Sequence, residues 1–245
     1  MNYERYYYSA PEVLRILGEY LLIDLLAAFL FFDSPLLFLI ALIGVIPYGK
    51  YRKTAFRKKR RQALKEQFLT WITVLSGKVN GGMSAENAME DSAGDMERLY
   101  GKNSMIVTEL RLMSVRQAHS ETLERCLADL GKRSMIPEIY EFAQIFSIAR
   151  QNSGRMNAVI TDTVRMMQEK SDTEAEIEVL ISGKKLEQKI MFVIPLLILF
   201  YLRIETADFL SVLYHNPLGI SVMTGCLLIY AVSYIMGERI VNITV

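Results

Sequence analysis

Gly183 to Leu202 reads GKKLEQKIMFVIPLLILFYL. A charged run passes directly into an apolar one, and Lys184, Lys185 and Lys189 stand at the crossing. Lysines at the edge of an apolar segment fit the positive-inside pattern of a cytoplasmic membrane boundary. Pro195 lies inside the apolar half, where its missing N–H interrupts the helical ladder and predicts a kink. The stretch predicts a soluble helical part joined to a membrane segment, with Pro195 as the candidate lever between them.

The rest of the chain is distributed around that junction. Of 245 residues, 51% are hydrophobic, and the net charge is +1. Apolar residues concentrate toward the two ends and charged ones lie between them, as in a membrane protein with a central soluble domain. A net charge so near zero gives no whole-chain attraction to nucleic acid, and none is expected as a partner. Cys126 and Cys226 fall in separate regions and form neither a metal pattern nor an expected disulfide. The N-terminus, MNYERYYYSAPEV, lacks a basic region followed by a small-residue cleavage site, so no cleaved signal peptide is expected.

Residues 1–15 form a tyrosine-rich tail suited to headgroup depth. Ile16–Phe32 and Leu36–Tyr48 are apolar, and Asp33-Ser34-Pro35 between them is a turn signal. Together they predict a transmembrane hairpin over 16–49, although each run is shorter than the ~20 residues of a perpendicular span. Glu19 and Asp24 lie in the first run. Ionisable groups at membrane depth mark functional sites; Glu19 at the boundary, and Asp24 facing a partner helix or the polar tip, give the structural alternative. Residues 50–61, KYRKTAFRKKRR, are strongly basic. Such a run also occurs in nucleic-acid patches. Its place directly after an apolar segment instead marks a topology determinant drawn to anionic lipid, which puts the following residues in the cytoplasm.

Residues 62–188 carry helical periodicity and almost no strand pattern. Leu64, Phe68, Trp71, Ile72, Leu75 and Val79 form one stripe, ended by Asn80-Gly81-Gly82. Ser84 caps the next helix, with Glu86 in its first turn and Ala85, Ala88, Met89 and Met96 along it; Gly101 closes it. A third helix covers about Ser104–Gln117. Ser120 is expected to cap a fourth, with Leu123, Leu127 and Leu130 inward and Gly131 at its end. Pro137 opens a fifth, with Ile139, Phe142, Ile145, Phe146 and Ala149 on one face. After the turn Asn152-Ser153-Gly154, a long helix starts near Met156 and runs to the junction. Short connections predict an antiparallel cytoplasmic bundle. A second hairpin is expected over 189–237, with Leu218–Met236 its most convincing span, followed by the tail 238–245. The fold class expected is all-α: a polytopic membrane protein with a cytoplasmic bundle between two transmembrane hairpins.

Little in the chain carries chemistry. Phosphate-loop, nucleophile-elbow, zinc-protease and paired-cysteine motifs are missing. His119 and His215 lie in different regions without a partner set. Glu174 and Glu178 share a face at helical spacing and read as a solvated or partner-facing edge rather than a carboxylate site. Met156, Met166 and Met167 read as packing or adaptable contact residues. No enzyme, cofactor or metal is expected.

Three stretches also carry a family resemblance: FLTWITVLSGKVNGGMSAENAMED (68–91), EIYEFAQIFSIARQNSGRMNAVITD (138–162) and EAEIEVLISGKKLEQKIMFVIPLLILF (174–200). In order and spacing they resemble the F-domain platform proteins of type II secretion and type IV pilus systems. The likeness is to the tight-adherence (Tad, Flp) pilus members of the TadB/TadC type, and it covers about Gln62–Met236. One copy of the domain is visible where the secretion members have two, and Ala118-His119-Ser120 stands where the family has a glycine. The resemblance implies a multi-pass platform in a bacterial or archaeal inner membrane, without catalytic residues. Its implied partners are a hexameric assembly ATPase, a second platform protein, pilin subunits and membrane lipids, in a homo- or hetero-oligomer. On this reading partner contacts come from Gly81, Gly82, Ser84, Glu86, Ser153, Gly154 and Asn157, and from the basic stretch. Two other classes fit less well: the membrane subunit of an ATPase-driven transporter, and an intramembrane enzyme. Both need polar groups at membrane depth, for which Glu19 and Asp24 are the only material.

Overall fold

The computed structural model describes residues 10–31, 45–151, 156–205 and 216–241. Among them are eight helices and no strand: α1 (Ala10–Phe31), α2 (Val45–Asn80), α3 (Ala85–Tyr100), α4 (Met105–Ala118), α5 (Leu123–Ser134), α6 (Pro137–Gln151), α7 (Met156–Glu205) and α8 (Pro217–Val241). The described residues are all-α, as expected. The basic run Lys50–Arg61 lies within α2, and Pro195 lies within the 50-residue α7. The N-terminal tail, the tip Asp33-Ser34-Pro35, the turn Asn152-Ser153-Gly154 and the tail 242–245 fall outside the described residues.

Contacts divide the chain into two compact units. The first contains Lys53–Asp172, and the second contains residues 10–31, 45–52, 173–205 and 216–241. The boundaries expected at 62 and 188 lie inside α2 and α7.

In the first unit, the apolar stripe of α2 is the spine. Leu64, Phe68, Trp71, Ile72 and Leu75 are fully buried, as are Met89 and Met96 of α3, Leu127 and Leu130 of α5, and Phe142 and Phe146 of α6. Phe68 meets Trp71 at 5.5 Å between ring centres and Phe142 edge-on at 5.6 Å. Trp71 Nε1 donates to Ser92 Oγ at 2.8 Å, which satisfies the one polar atom that burying an indole brings inside. A carboxylate also lies in this core. Glu138 accepts from Lys65 of α2 at 2.9 Å and from Lys170 of α7 at 3.0 Å, so one buried charge ties three helices.

Two expected helix ends differ. Ser120 does not begin a helix. It has φ +65°, donates its N–H to Gln117, and Glu121 donates to Arg116; these bonds close α4 with Ser120 in the left-handed position where glycine is usual. Thr122 is the N-cap of α5 instead. Gly131 does not end α5, which continues to Ser134. It is the point where α6 comes closest: a Cβ on Gly131 would lie 2.9 Å from Tyr140 Cα. Its missing side chain serves packing, not termination.

The second unit is built differently. Its buried pair, Leu30 and Met223, brings α1 against α8, with Leu196, Leu199, Leu202 and Leu227 packed around it. Phe192 of α7 takes Tyr230 and Tyr234 of α8 edge-on, at 5.7 and 5.1 Å. Asn216 Oδ1 accepts from Leu218 N at 3.3 Å and caps α8, with Pro217 in the first helical position. Leu218–Ile240 is 23 residues of apolar helix with almost no side chain buried. At 1.5 Å per residue it is about 34 Å long, enough for a ~30 Å hydrocarbon layer. Among the described residues it alone meets the length and composition of a span. The uncharged run Ile190–Leu202 is about 20 Å long, and α1 carries Arg15, Glu19 and Asp24. Leu197 and Tyr201 of α7 and Leu22 and Leu25 of α1 nevertheless face outward, each at least 59% exposed.

Candidate partner-contact site

One end of the first unit gathers most of the residues singled out in the sequence. α2 stops because Gly82 takes φ +95°; its N–H bonds Val79 O at 3.0 Å and the N–H of Met83 bonds Lys78 O at 3.2 Å. This paired closure needs a left-handed residue, which glycine supplies without a Cβ penalty. Gly81 precedes it, and a Cβ there would press to 3.3 Å on Lys78 O. The chain then turns extended at Ser84, whose Oγ accepts from Asn87 N at 3.3 Å and caps α3. Gly81, Gly82, Met83 and Ser84 are exposed.

Asn157, in the first turn of α7, lies against the same end. Its side-chain amide donates to Val79 O at 3.4 Å, and Thr161 one turn on meets Asn80 Nδ2 at 2.8 Å and Ser76 at 3.3 Å. Val79 O thus accepts from both Gly82 N and the Asn157 amide, while Asn80 and Ser76 contribute side-chain groups. Ser153 and Gly154 fall outside the described residues. Pro195 belongs to the second unit.

Glu86 is half-buried rather than free. It pairs with Arg150 in the last turn of α6, and Arg150 Nε also meets Glu124 of α5 at 2.6 Å. The hydrogen bond that Arg150 donates to Glu86 and the field of Glu124 hold the Arg150 guanidinium still more firmly protonated. Each charge sits where a helix dipole favours it: Glu86 and Glu124 in first turns, Arg150 in a last turn. The second oxygen of Glu124 is shielded and has no hydrogen-bond partner. Neither Arg150 nor Glu124 stood out in the sequence. The available signal was topological, since antiparallel neighbours α5 and α6 put the first turn of one beside the last turn of the other.

The arrangement offers a fixed polar rim around an exposed apolar tip, Met83, 46% exposed. It contains no nucleophile–base pair. Among the described residues no group of three or more His, Cys, Asp or Glu could hold a metal ion. His119 Nδ1 lies 2.8 Å from Val115 O at the end of α4, and His215 is outside the described residues. No family model, curated protein or solved structure matches the chain.

Proposed function

We propose that the protein is a non-enzymatic inner-membrane platform of a Tad-like pilus or type II-like secretion machine. Its first unit is cytoplasmic and engages a hexameric assembly ATPase. Its second unit forms two transmembrane hairpins, meets a second platform protein and the pilin, and is multi-pass. One observation carries this reading: a unit with a closed aromatic core stands on the same chain as a unit whose helices expose long apolar side chains. Contiguous exposed apolar surface on that scale calls for lipid or protein cover. The Gly81–Glu86 turn and Asn157 supply a rigid, polar docking end for the ATPase, and the basic start of α2 supplies the cytoplasmic anchor.

The test is co-purification of the host ATPase with the full chain extracted from membranes. Met83→Glu alters the tip without touching the Glu86–Arg150–Glu124 pairs, so it should abolish co-purification and leave thermal unfolding unchanged. ATPase bound equally by wild type and variant would remove this end as the docking surface. A deletion strain with normal pili and secretion would remove the platform reading itself.

One observation favours a second reading, the membrane subunit of an ATPase-driven transporter. Asp24 on α1 is 5% exposed and its Oδ2 has no hydrogen-bond partner. A buried carboxylate oxygen without a hydrogen-bond partner in an apolar helix is expensive, and ionisable groups at such depth are commonly retained for a substrate or ion. Uptake into reconstituted vesicles lost in Asp24→Asn would favour it over the platform.

A further inference from the structure

Lys53, Arg57 and Arg61 stand four residues apart on one face of α2. Like charges at this spacing oppose one another. Elsewhere in the same unit Lys65, Lys78, Arg111, Arg116, Arg133 and Arg150 each meet a carboxylate within 3.0 Å. No carboxylate pairs with Lys53, Arg57 or Arg61 among the described residues. Arg57 and Arg61 are half-buried, and the Nε of each is shielded from water without an acceptor. A terminal nitrogen of Arg61 reaches Met135 Sδ at 3.5 Å, a weak acceptor. A shielded guanidinium donor left without an acceptor is costly. The face is thus matched to an acceptor that comes from outside the described residues.

The helix itself says what kind. Helical side chains lean toward the N-terminus. The three cations therefore lean toward the end of α2 that begins Val45-Ile46-Pro47-Tyr48. At 1.5 Å per residue, Lys53 and Arg57 lie about 8 and 14 Å along the axis from Tyr48. After the side chains reach back, that is headgroup height, and Arg61 follows within a further Debye length of ~8–10 Å. Guanidinium groups match the paired oxygens of a phosphate.

We propose that the Lys53–Arg57–Arg61 face of α2 binds the phosphate of an acidic phospholipid headgroup. This rests on the membrane reading above and adds a site to it. Free inorganic phosphate shares the chemistry; the apolar start of the same helix is what favours lipid.

The full chain is reconstituted in vesicles of phosphatidylcholine with phosphatidylglycerol, extracted in detergent, and its retained lipid read by native mass spectrometry. Wild type should keep phosphatidylglycerol over phosphatidylcholine, and Arg57→Gln with Arg61→Gln should lower that preference about tenfold. A control of equal charge change, Lys102→Gln with Arg165→Gln, should leave it intact. A wild type without phosphatidylglycerol preference, or equal retention in the Arg57/Arg61 variant, overturns the site while leaving the membrane reading in place. Displacement of the lipid by millimolar inorganic phosphate assigns the face to free phosphate and overturns the lipid. Release of the wild-type chain from vesicles by alkaline wash is a different result, and removes the membrane reading and the site together.

Discussion

The Tyr230 hydroxyl of α8 donates a hydrogen bond to the Phe192 carbonyl of α7, three residues before Pro195. Pro195 has no N–H, so the carbonyl four residues back, on Met191, loses its helical donor and the ladder weakens in this turn. The Tyr230 hydroxyl bonds the carbonyl next to the freed one, within the same weakened turn. Tyr230→Phe keeps the ring against Phe192 and removes only the bond. It should cost about 0.6 kcal/mol and at most about 1.7, read by unfolding of the full chain in mixed micelles. In a Pro195→Ala background the loss should shrink. Equal costs in both backgrounds would separate the bond from the proline.

Glu138 is a buried titrating group outside the apolar helices with a strongly lowered pKa. Burial pushes its carboxyl up, but hydrogen bonds from Lys65 and Lys170 outweigh burial and hold it at about 2, against an ordinary 4.5. The unfolded chain therefore binds this proton more tightly. The stabilisation is complete above about 4.5 and disappears as pH falls toward about 2. Glu138→Gln should flatten that part of the acid-unfolding curve. It should also lower stability at neutral pH by about 3 kcal/mol or more, because Lys65 is left charged and buried. Lys170→Ala should cost less than about 1 kcal/mol, since Lys170 is half exposed.

Ser120 holds a left-handed backbone at φ +65° without glycine. Ser120→Gly should raise stability by about 1 kcal/mol, because a Cβ in that region costs ~1–2 kcal/mol. The melting temperature of the full chain in detergent measures it. A fall would mean that the hydroxyl contributes more than the strain removes.

Gly131→Ala should act in the opposite direction. Its methyl would meet the backbone of Tyr140, not a mobile side-chain tip. Overpacking of this kind costs ~1–3 kcal/mol, and the effect should appear as faster amide exchange in α5 and α6. Gly94→Ala, on a helix with open space around the position, should be neutral or stabilising.

Much of the first unit was legible because its signals are local. The stripe Leu64–Val79 declares a period, and Gly82, Ser84, Gly101 and Pro137 declare helix ends through backbone chemistry that needs no partner. Ser120 and Gly131 were misread for one reason. Each was assigned the commonest role of its residue type, while the structure uses Ser120 for its tolerance of a left-handed turn and Gly131 for its lack of a Cβ at a helix crossing. The pairings of Glu138 with Lys65 and Lys170, and of Arg150 with Glu86 and Glu124, join residues far apart in sequence. Periodicity places such residues on faces but cannot say which faces meet. At the candidate contact end, Gly81, Gly82, Ser84, Glu86 and Asn157 were readable as a turn and helix starts; the charge network around Glu86 was not.

The partners of α2 also set a schedule for synthesis. Lys65 is 73 residues ahead of Glu138, and Asn80 is 81 ahead of Thr161. At ~5–20 residues per second, the Leu64–Val79 stripe waits roughly 4–16 s on the ribosome for the helices that cover it. Trp71 waits less for Ser92, 21 residues on, so α2 and α3 can pair early. Through that interval Lys65, Glu66 and Lys78 are the charges that interrupt the nascent apolar surface and oppose its association with other chains. The buried ammonium of Lys65 thus guards the unfinished protein before it helps to hold the finished one.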